Sequence, residues 1–209
     1  MYILESKLTN LANYCISSTI IICYFISYVK NTVPLWLPMI SDCFVVPPAS
    51  YISRIGLPFT SCILVLHNII LHEFINSSLA IIPSIASLCL CIVSAVNEKE
   101  NIIIHNYAAY IFFVLYMFNM LYVSYFIRNK LAISLLYTLF VLYAPFGFLP
   151  QCEWAAVGCL IIFVNSTNNE IGHVKLCDIF NFRCIKRIKL KAVSSTNSIH
   201  FSLKEHYNT

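Results

Sequence analysis

Residues 38–50 read PMISDCFVVPPAS, and they separate two long apolar runs. Three prolines (Pro38, Pro47, Pro48) and the pair Ser41-Asp42 fall within these thirteen residues. Proline removes a backbone donor and clashes with the preceding helical turn, and a carboxylate is costly in hydrocarbon. The stretch therefore lies outside any membrane helix. Its side of the membrane fixes the topology of everything around it.

The surrounding chain sets the class. Of 209 residues, 59% are hydrophobic and only 11% charged, against about a quarter charged in soluble domains. Mean hydropathy is +0.78. A water-soluble core of this size would leave much of that apolar surface exposed, so the chain reads as a polytopic helical membrane protein. A transmembrane barrel would show alternating segments of about ten residues, whereas these runs are continuous. Cys15, Cys23, Cys62, Cys89, Cys91 and Cys159 fall inside apolar runs and act there as small hydrophobes. Their spacing carries no zinc signature, and neither a cofactor nor a nucleic-acid partner is expected.

Five apolar runs, 11–29, 57–75, 79–96, 107–127 and 131–149, have 18 to 21 residues each. That length crosses a hydrocarbon core of about 30 Å. A sixth, about 153–169, is apolar only to Val164 and then reads NSTNN, so hydropathy leaves it undecided. Residues 1–10 form a short N-terminal segment, 11–169 the membrane domain and 170–209 a basic tail. The first run reads as a retained signal anchor.

Basic residues orient the chain. With six spans and a cytosolic N-terminus, Lys7, Arg128, Lys130 and the seven basic residues of the tail lie inside. Lys30, Arg54 and Lys99 lie outside. Five spans with an external N-terminus give the same inside excess, so charge puts the tail in the cytosol without deciding the number of spans.

PMISDCFVVPPAS resembles the first extramembrane loop of the DRAM and transmembrane-protein-150 group of the Frag/DRAM/Sfk superfamily. That loop reads Pro-x-(Ile/Val)-Ser-Asp, four variable residues, then Pro-Pro-x-Ser. Pro38, Ser41, Asp42, Pro47, Pro48 and Ser50 match it without a gap, while Tyr51 stands where the family has cysteine. Asn97 and His105 are similar to an Asn-(Phe-Gln)…His segment, with Glu98 and Lys99 replacing Phe-Gln. Glu153-Trp154, followed by Glu170 and Gly172, is similar to a Glu-Trp…Glu-Phe-Gly frame with Ile171 for Phe. The resemblance covers roughly residues 11–175. It implies an all-α bundle of six transmembrane helices, both termini cytosolic, with an ordered proline-rich first loop on the lumenal or extracellular face. The Glu-Trp pair is closer to this group than to the GPI-lipid-remodelling branch, which looks more like Glu-Tyr.

Several residues are candidates for chemistry. In the implied topology Ser41, Asp42, His105 and Glu153 share one face. They would serve as a structural or recognition cluster rather than a catalytic one, so no enzymatic activity is expected. Cys43 and Cys152 face the oxidising compartment; a bond between them would staple the first loop to the last span, and two free thiols are the alternative. His67 and Asn119 sit mid-span and read as helix–helix hydrogen-bonding residues. His72 and Glu73 read as a solvated helix end, because no second histidine completes a His-Glu-x-x-His face. The small-residue pairs Ala80/Ser84 and Ser87/Cys91 read as packing positions. The sequons at Asn76 and Asn165 fall on the cytosolic side or at membrane depth and are expected to stay unglycosylated.

The tail stretch RCIKRIKLK (183–191) places Arg183, Lys186, Arg187, Lys189 and Lys191 beside the membrane. It reads as a stop-transfer flank that can also attract anionic inner-leaflet lipid. Ile185, Ile188 and Leu190 could touch the interface, and Cys177 and Cys184 are candidate palmitoylation sites. Two functions are open at this point. The resemblance implies a non-catalytic regulator of autophagy, lysosomal or phosphoinositide-linked processes, in lysosomal, endomembrane or plasma membrane, with a membrane or kinase-scaffold partner. The alternative is a lipid-handling protein, a GPI-lipid remodelling factor or lipid transporter, whose external loops form a headgroup site.

Overall fold

The computed structural model describes residues 5–75, 77–144 and 149–171. Six α-helices follow one another among the described residues: α1 (Glu5–Val29), α2 (Ala49–Phe74), α3 (Ile81–Ala95), α4 (Glu98–Phe126), α5 (Leu131–Tyr143) and α6 (Leu149–Ile171). Short 3-10 turns occupy Ser41–Phe44 and Arg128–Lys130, and no strand occurs among the described residues. The described residues from Ser6 onward belong to one compact unit.

Among the described residues, four helices are long and apolar enough to cross a membrane: Lys7–Val29, Ala49–Glu73, Glu98–Phe126 and Leu149–Thr167. The run that hydropathy left undecided is thus one of the long helices. The runs expected at 79–96 and 131–149 appear as shorter helices of 15 and 13 residues. At about 1.5 Å per residue neither reaches 30 Å unaided. α3 stops because Val96 turns extended (φ −116°, ψ 101°) to deliver Asn97 as the cap of the next helix. Of the run 131–149, residues 145–148 lie outside the described residues.

All four long helices begin earlier than the apolar pattern predicts, α4 and α2 by the most. α4 starts at Glu98 because Asn97 Oδ1 accepts the Glu100 N–H at 3.0 Å, and the Glu100 carboxylate accepts the Asn97 N–H at 3.2 Å. This reciprocal pair is a capping box. The helix breaks once, at Asn101 (φ −159°, ψ 95°), whose side chain re-caps it by accepting the Ile104 N–H at 3.1 Å. α2 starts directly after the Pro47-Pro48 pair, which is joined by a cis peptide.

Polar contacts hold the helices together, as expected where lipid gives no hydrophobic drive to association. Asn68 Nδ2 on α2 lies 3.1 Å from the Pro83 carbonyl, 3.1 Å from Ser87 Oγ and 3.0 Å from Tyr116 OH, joining α2, α3 and α4. Ser87 belongs to one of the small-residue pairs and faces the bundle, fully buried. His67 joins α1 to α6, with Nδ1 3.2 Å from Thr9 Oγ1 and Nε2 3.4 Å from Thr167 Oγ1. Asn119 pairs with His72, its Oδ1 2.7 Å from Nε2. His72 is therefore not a solvated helix end: it is buried between α2 and α4 and stacks on Tyr122 at 6.0 Å. Glu73, one residue on, is exposed. α1 packs tightly against α2 at Gly56, where a Cβ would collide with the Thr19 side chain.

Candidate functional site

The loop between α1 and α2 is folded back onto the bundle and fixed from three sides. From α1 and the residue just after it, Tyr24 OH donates to the Leu35 carbonyl at 2.7 Å, Ser27 Oγ to the Cys43 carbonyl at 2.9 Å and Lys30 Nζ to the Pro47 carbonyl at 2.8 Å. From α4, Glu98 Oε1 accepts the Ser41 hydroxyl at 2.8 Å. From α6, Glu153 Oε2 accepts the Ile40 N–H at 2.7 Å, and Trp154 Nε1 donates to the Pro38 carbonyl at 2.8 Å. Tyr24 meets the Trp154 ring edge-on at 6.1 Å. Loop backbone groups that would otherwise need water are satisfied by side chains of two helices.

The structure therefore brings together Ser41, Asp42, His105 and Glu153, the four residues grouped from sequence, and adds Glu98. His105 is 2% exposed. Its Nδ1 donates to the Val96 carbonyl at 2.8 Å, while Nε2 stands 3.8 Å from Glu98 Oε1, beyond hydrogen-bond reach. Burial, and then the neighbouring Glu98 charge, hold the Asp42 carboxyl above its ordinary range, with the Met39 backbone opposing. Among the described residues no group of three or more His, Cys, Asp or Glu is placed to hold a metal ion.

Below this cluster lies a cavity of about 530 Å³. Its walls come from all six helices and are mostly apolar: Ile16 and Ile20 of α1, Leu57 of α2, Leu90 of α3, Phe113 of α4, Phe140 of α5 and Val157 of α6 belong to them. Its polar end is Ser41, Glu98, His105, Asn106 and Glu153. Ile102, Tyr110 and Leu149 line it and are themselves exposed, so it reaches the side of the bundle between α4 and the start of α6. The size is that of small-molecule sites in general.

The remaining sequence candidates fall as follows. Asn97 is the cap of α4, a structural role. Pro47 and Pro48 turn the loop into α2, and Ser50 is buried in its first turn. Cys43 and Cys152 are both buried free thiols, and Cys43 Sγ points to the Met39 carbonyl at 3.5 Å. The loop is held to α6 by Glu153 and Trp154 instead. Asn76, the Glu170 side chain, Gly172, Cys177, Cys184 and the basic residues Arg183, Lys186, Arg187, Lys189 and Lys191 lie outside the described residues. Sequence reasoning missed Glu98, noted only as a replacement in a motif. Its signal was positional: a carboxylate directly after a capping asparagine sits in the first helical turn, where the helix dipole favours it.

A loop-roofed bundle with four membrane-length helices and an internal apolar cavity defines an integral membrane protein that contacts the bilayer directly. The Frag1/DRAM/Sfk1/Cwh43P N-terminal domain matches residues 10–174, and the chain belongs to this family. No curated protein and no solved structure matches.

Proposed function

We propose that the chain is a six-span membrane regulator that works by binding a lipid, without catalysis, in the cavity beneath its first loop. α3 and α5 would be the two short crossings, both termini would be cytosolic, and residues 38–50 would face the lumen or the exterior. The observation that carries the reading is the apolar cavity of about 530 Å³ closed by Ser41, Glu98, His105 and Glu153. The engagement of those groups supports a binding role over a catalytic one. Glu153 secures Ile40, Glu98 secures Ser41, and the Nδ1 proton of His105 is committed to a backbone carbonyl. The match of residues 38–50 to the DRAM and transmembrane-protein-150 group supports a place in autophagy, lysosomal or phosphoinositide-linked processes, in lysosomal, endomembrane or plasma membrane. The basic residues of 183–191 support contact with anionic inner-leaflet lipid and a membrane or kinase-scaffold partner. The cavity equally supports the lipid-handling alternative, in which the bound lipid is moved or remodelled.

The test is photolabelling of the purified full chain in nanodiscs with a neutral alkyl diazirine lipid, followed by peptide mapping. Adducts on cavity-lining segments of α4 and α6 are expected, and their loss in Ala156→Trp, which fills the cavity. Labelling confined to outward-facing residues, with Ala156→Trp and Val157→Phe both folded and unchanged, would overturn the reading.

A further inference from the structure

Between α1 and the roof of the cavity the chain makes a short excursion, residues 30–37, reading KNTVPLWL. Val33 and Pro38 are buried at its two ends, and Pro34, Leu35 and Trp36 stand exposed between them. Trp36 is 79% exposed and Leu35 65%. Leu37 has a φ of 40°, in the left-handed region that a bulky side chain rarely adopts. A turn of that kind persists where its surroundings fix it. Two hydrogen bonds do so: Tyr24 OH holds the Leu35 carbonyl, and Trp154 Nε1 holds the Pro38 carbonyl. Tyr24 lies five residues before Val29 at the end of α1, and Trp154 five residues after Leu149 in α6. At 1.5 Å per residue, both ties draw the tip about 7 Å inward from the helix ends. The 25 residues of α1 measure about 37 Å against a hydrocarbon core of about 30 Å, so that depth is the edge of the core.

We propose that Leu35 and Trp36 form a re-entrant anchor, seated at the headgroup–acyl boundary of the leaflet on the side of residues 38–50. The backbone suits that depth. Irregular chain is tolerated there when its polar groups are satisfied by protein. The Leu35 and Pro38 carbonyls have side-chain donors, and Pro34 and Pro38 have no N–H to leave bare. An indole, apolar in body with one N–H, favours this boundary over both water and the bilayer centre. The anchor also continues a lipid-facing surface. Ile21 and Tyr28, neighbours of Tyr24 at i−3 and i+4 on the face of α1, are exposed on a helix of membrane length. A protein partner fits less well, because two side chains fall far short of the about 800 Å² that a specific interface takes from each side. Met39, Ile40 and Ser41 line the cavity three to five residues beyond Trp36, so the anchor sets the depth of the roof. The inference needs only that the chain spans a bilayer, and it stands or falls apart from lipid binding inside the cavity.

The chain has two tryptophans, which makes fluorescence quenching the test. The full chain carrying Trp154→Phe, with Trp36 as its one tryptophan, is placed in phosphatidylcholine nanodiscs. The lipid is brominated either near the carbonyl end or near the terminus of one acyl chain, and iodide serves as the aqueous quencher. Trp36 emission is expected to fall severalfold more with the shallow bromine than with the deep one. Iodide should quench it severalfold less than it quenches free tryptophan. Because Trp154→Phe removes one of the ties, the emission of Trp36 is also taken as the difference between the parent and Trp36→Phe, which keeps Trp154. Strong iodide quenching without a bromolipid response, in both measurements, would put Trp36 in water and overturn the anchor. Stronger quenching by the deep bromine would also overturn it, because the side chain would then lie within the hydrocarbon rather than at its edge.

Discussion

Glu153 Oε2 accepts the backbone N–H of Ile40 at 2.7 Å, across 113 residues of sequence. Its neighbour Trp154 takes the carbonyl of Pro38, so two consecutive residues at the head of α6 grip the loop by both backbone polarities. Removing the carboxylate leaves a half-buried N–H unpaired. Glu153→Ala should therefore lower stability by about 1.5–3 kcal/mol, the range for hydrogen bonds to charged groups, and Trp154→Phe by about 1 kcal/mol. Thermal melting in detergent, with proteolysis of residues 38–50 as a local readout, measures both. Unchanged melting and an equally resistant loop in Glu153→Ala would show that the grip is not what orders the loop.

Asp42 gives the loop a pH dependence of known sign. Its folded-state carboxyl titrates above its ordinary value because of burial and then Glu98. The folded protein therefore holds that proton more tightly than the unfolded chain, and stability rises as pH falls from the raised folded value toward the ordinary one. Melting temperature measured across mildly acidic pH should increase on acidification. Asp42→Asn should flatten that increase and melt higher than the parent at neutral pH. A parent and variant with parallel profiles would remove Asp42 as the source.

The pair His72 and Asn119 lends itself to a double-mutant cycle. The two share one hydrogen bond of 2.7 Å, while His72 Nδ1 and Asn119 Nδ2 are buried and have no partner among the described residues. Interhelical polar pairs in membranes couple by about 0.6 kcal/mol on average, with a maximum near 1.7. His72→Phe and Asn119→Leu should each destabilise, with a coupling in that range. The double variant should recover much of the loss, because the orphaned groups leave together. Strict additivity would mean the pair does not interact.

Gly56 lies against Thr19 where α1 packs on α2. A methyl there would collide with Thr19 Oγ1 and meet its Cγ2 at 2.9 Å. Gly56→Ala should cost about 1–3 kcal/mol, typical of overpacking, and Thr19→Ala in the same chain should restore part of it. Melting in detergent reads the effect, and a neutral Gly56→Ala would contradict the helix spacing.

Much of the fold was legible because lipid imposes one pattern. Runs of apolar residues of membrane length announced α1, α2 and α4, and the prolines of 38–50 announced a break. Helix starts were less visible, because capping outranks hydropathy at an end. Asn97 with Glu100 begins α4 nine residues before the apolar run at 107, although the Asn-x-x-Glu spacing is itself a readable signal. His72 misled for a related reason. Beside exposed Glu73 it looked like part of a solvated end, but alternate sides of a helix face different neighbours, and its side faces Asn119. The grouping of Ser41, Asp42, His105 and Glu153 was legible through ordered motifs. The cavity beneath them was not, since a void depends on which side chains fail to meet.

The most direct test of a lipid-binding cavity is the lipid that stays with the protein through purification. Denaturing extraction and mass spectrometry of the detergent-purified full chain should recover an amphiphile retained by the parent. It should be lost from folded Ala156→Trp, whose new ring occupies the space beside Val157 and Leu160. Equal recovery from the two proteins, or none from a parent extracted in mild detergent, would contradict the account.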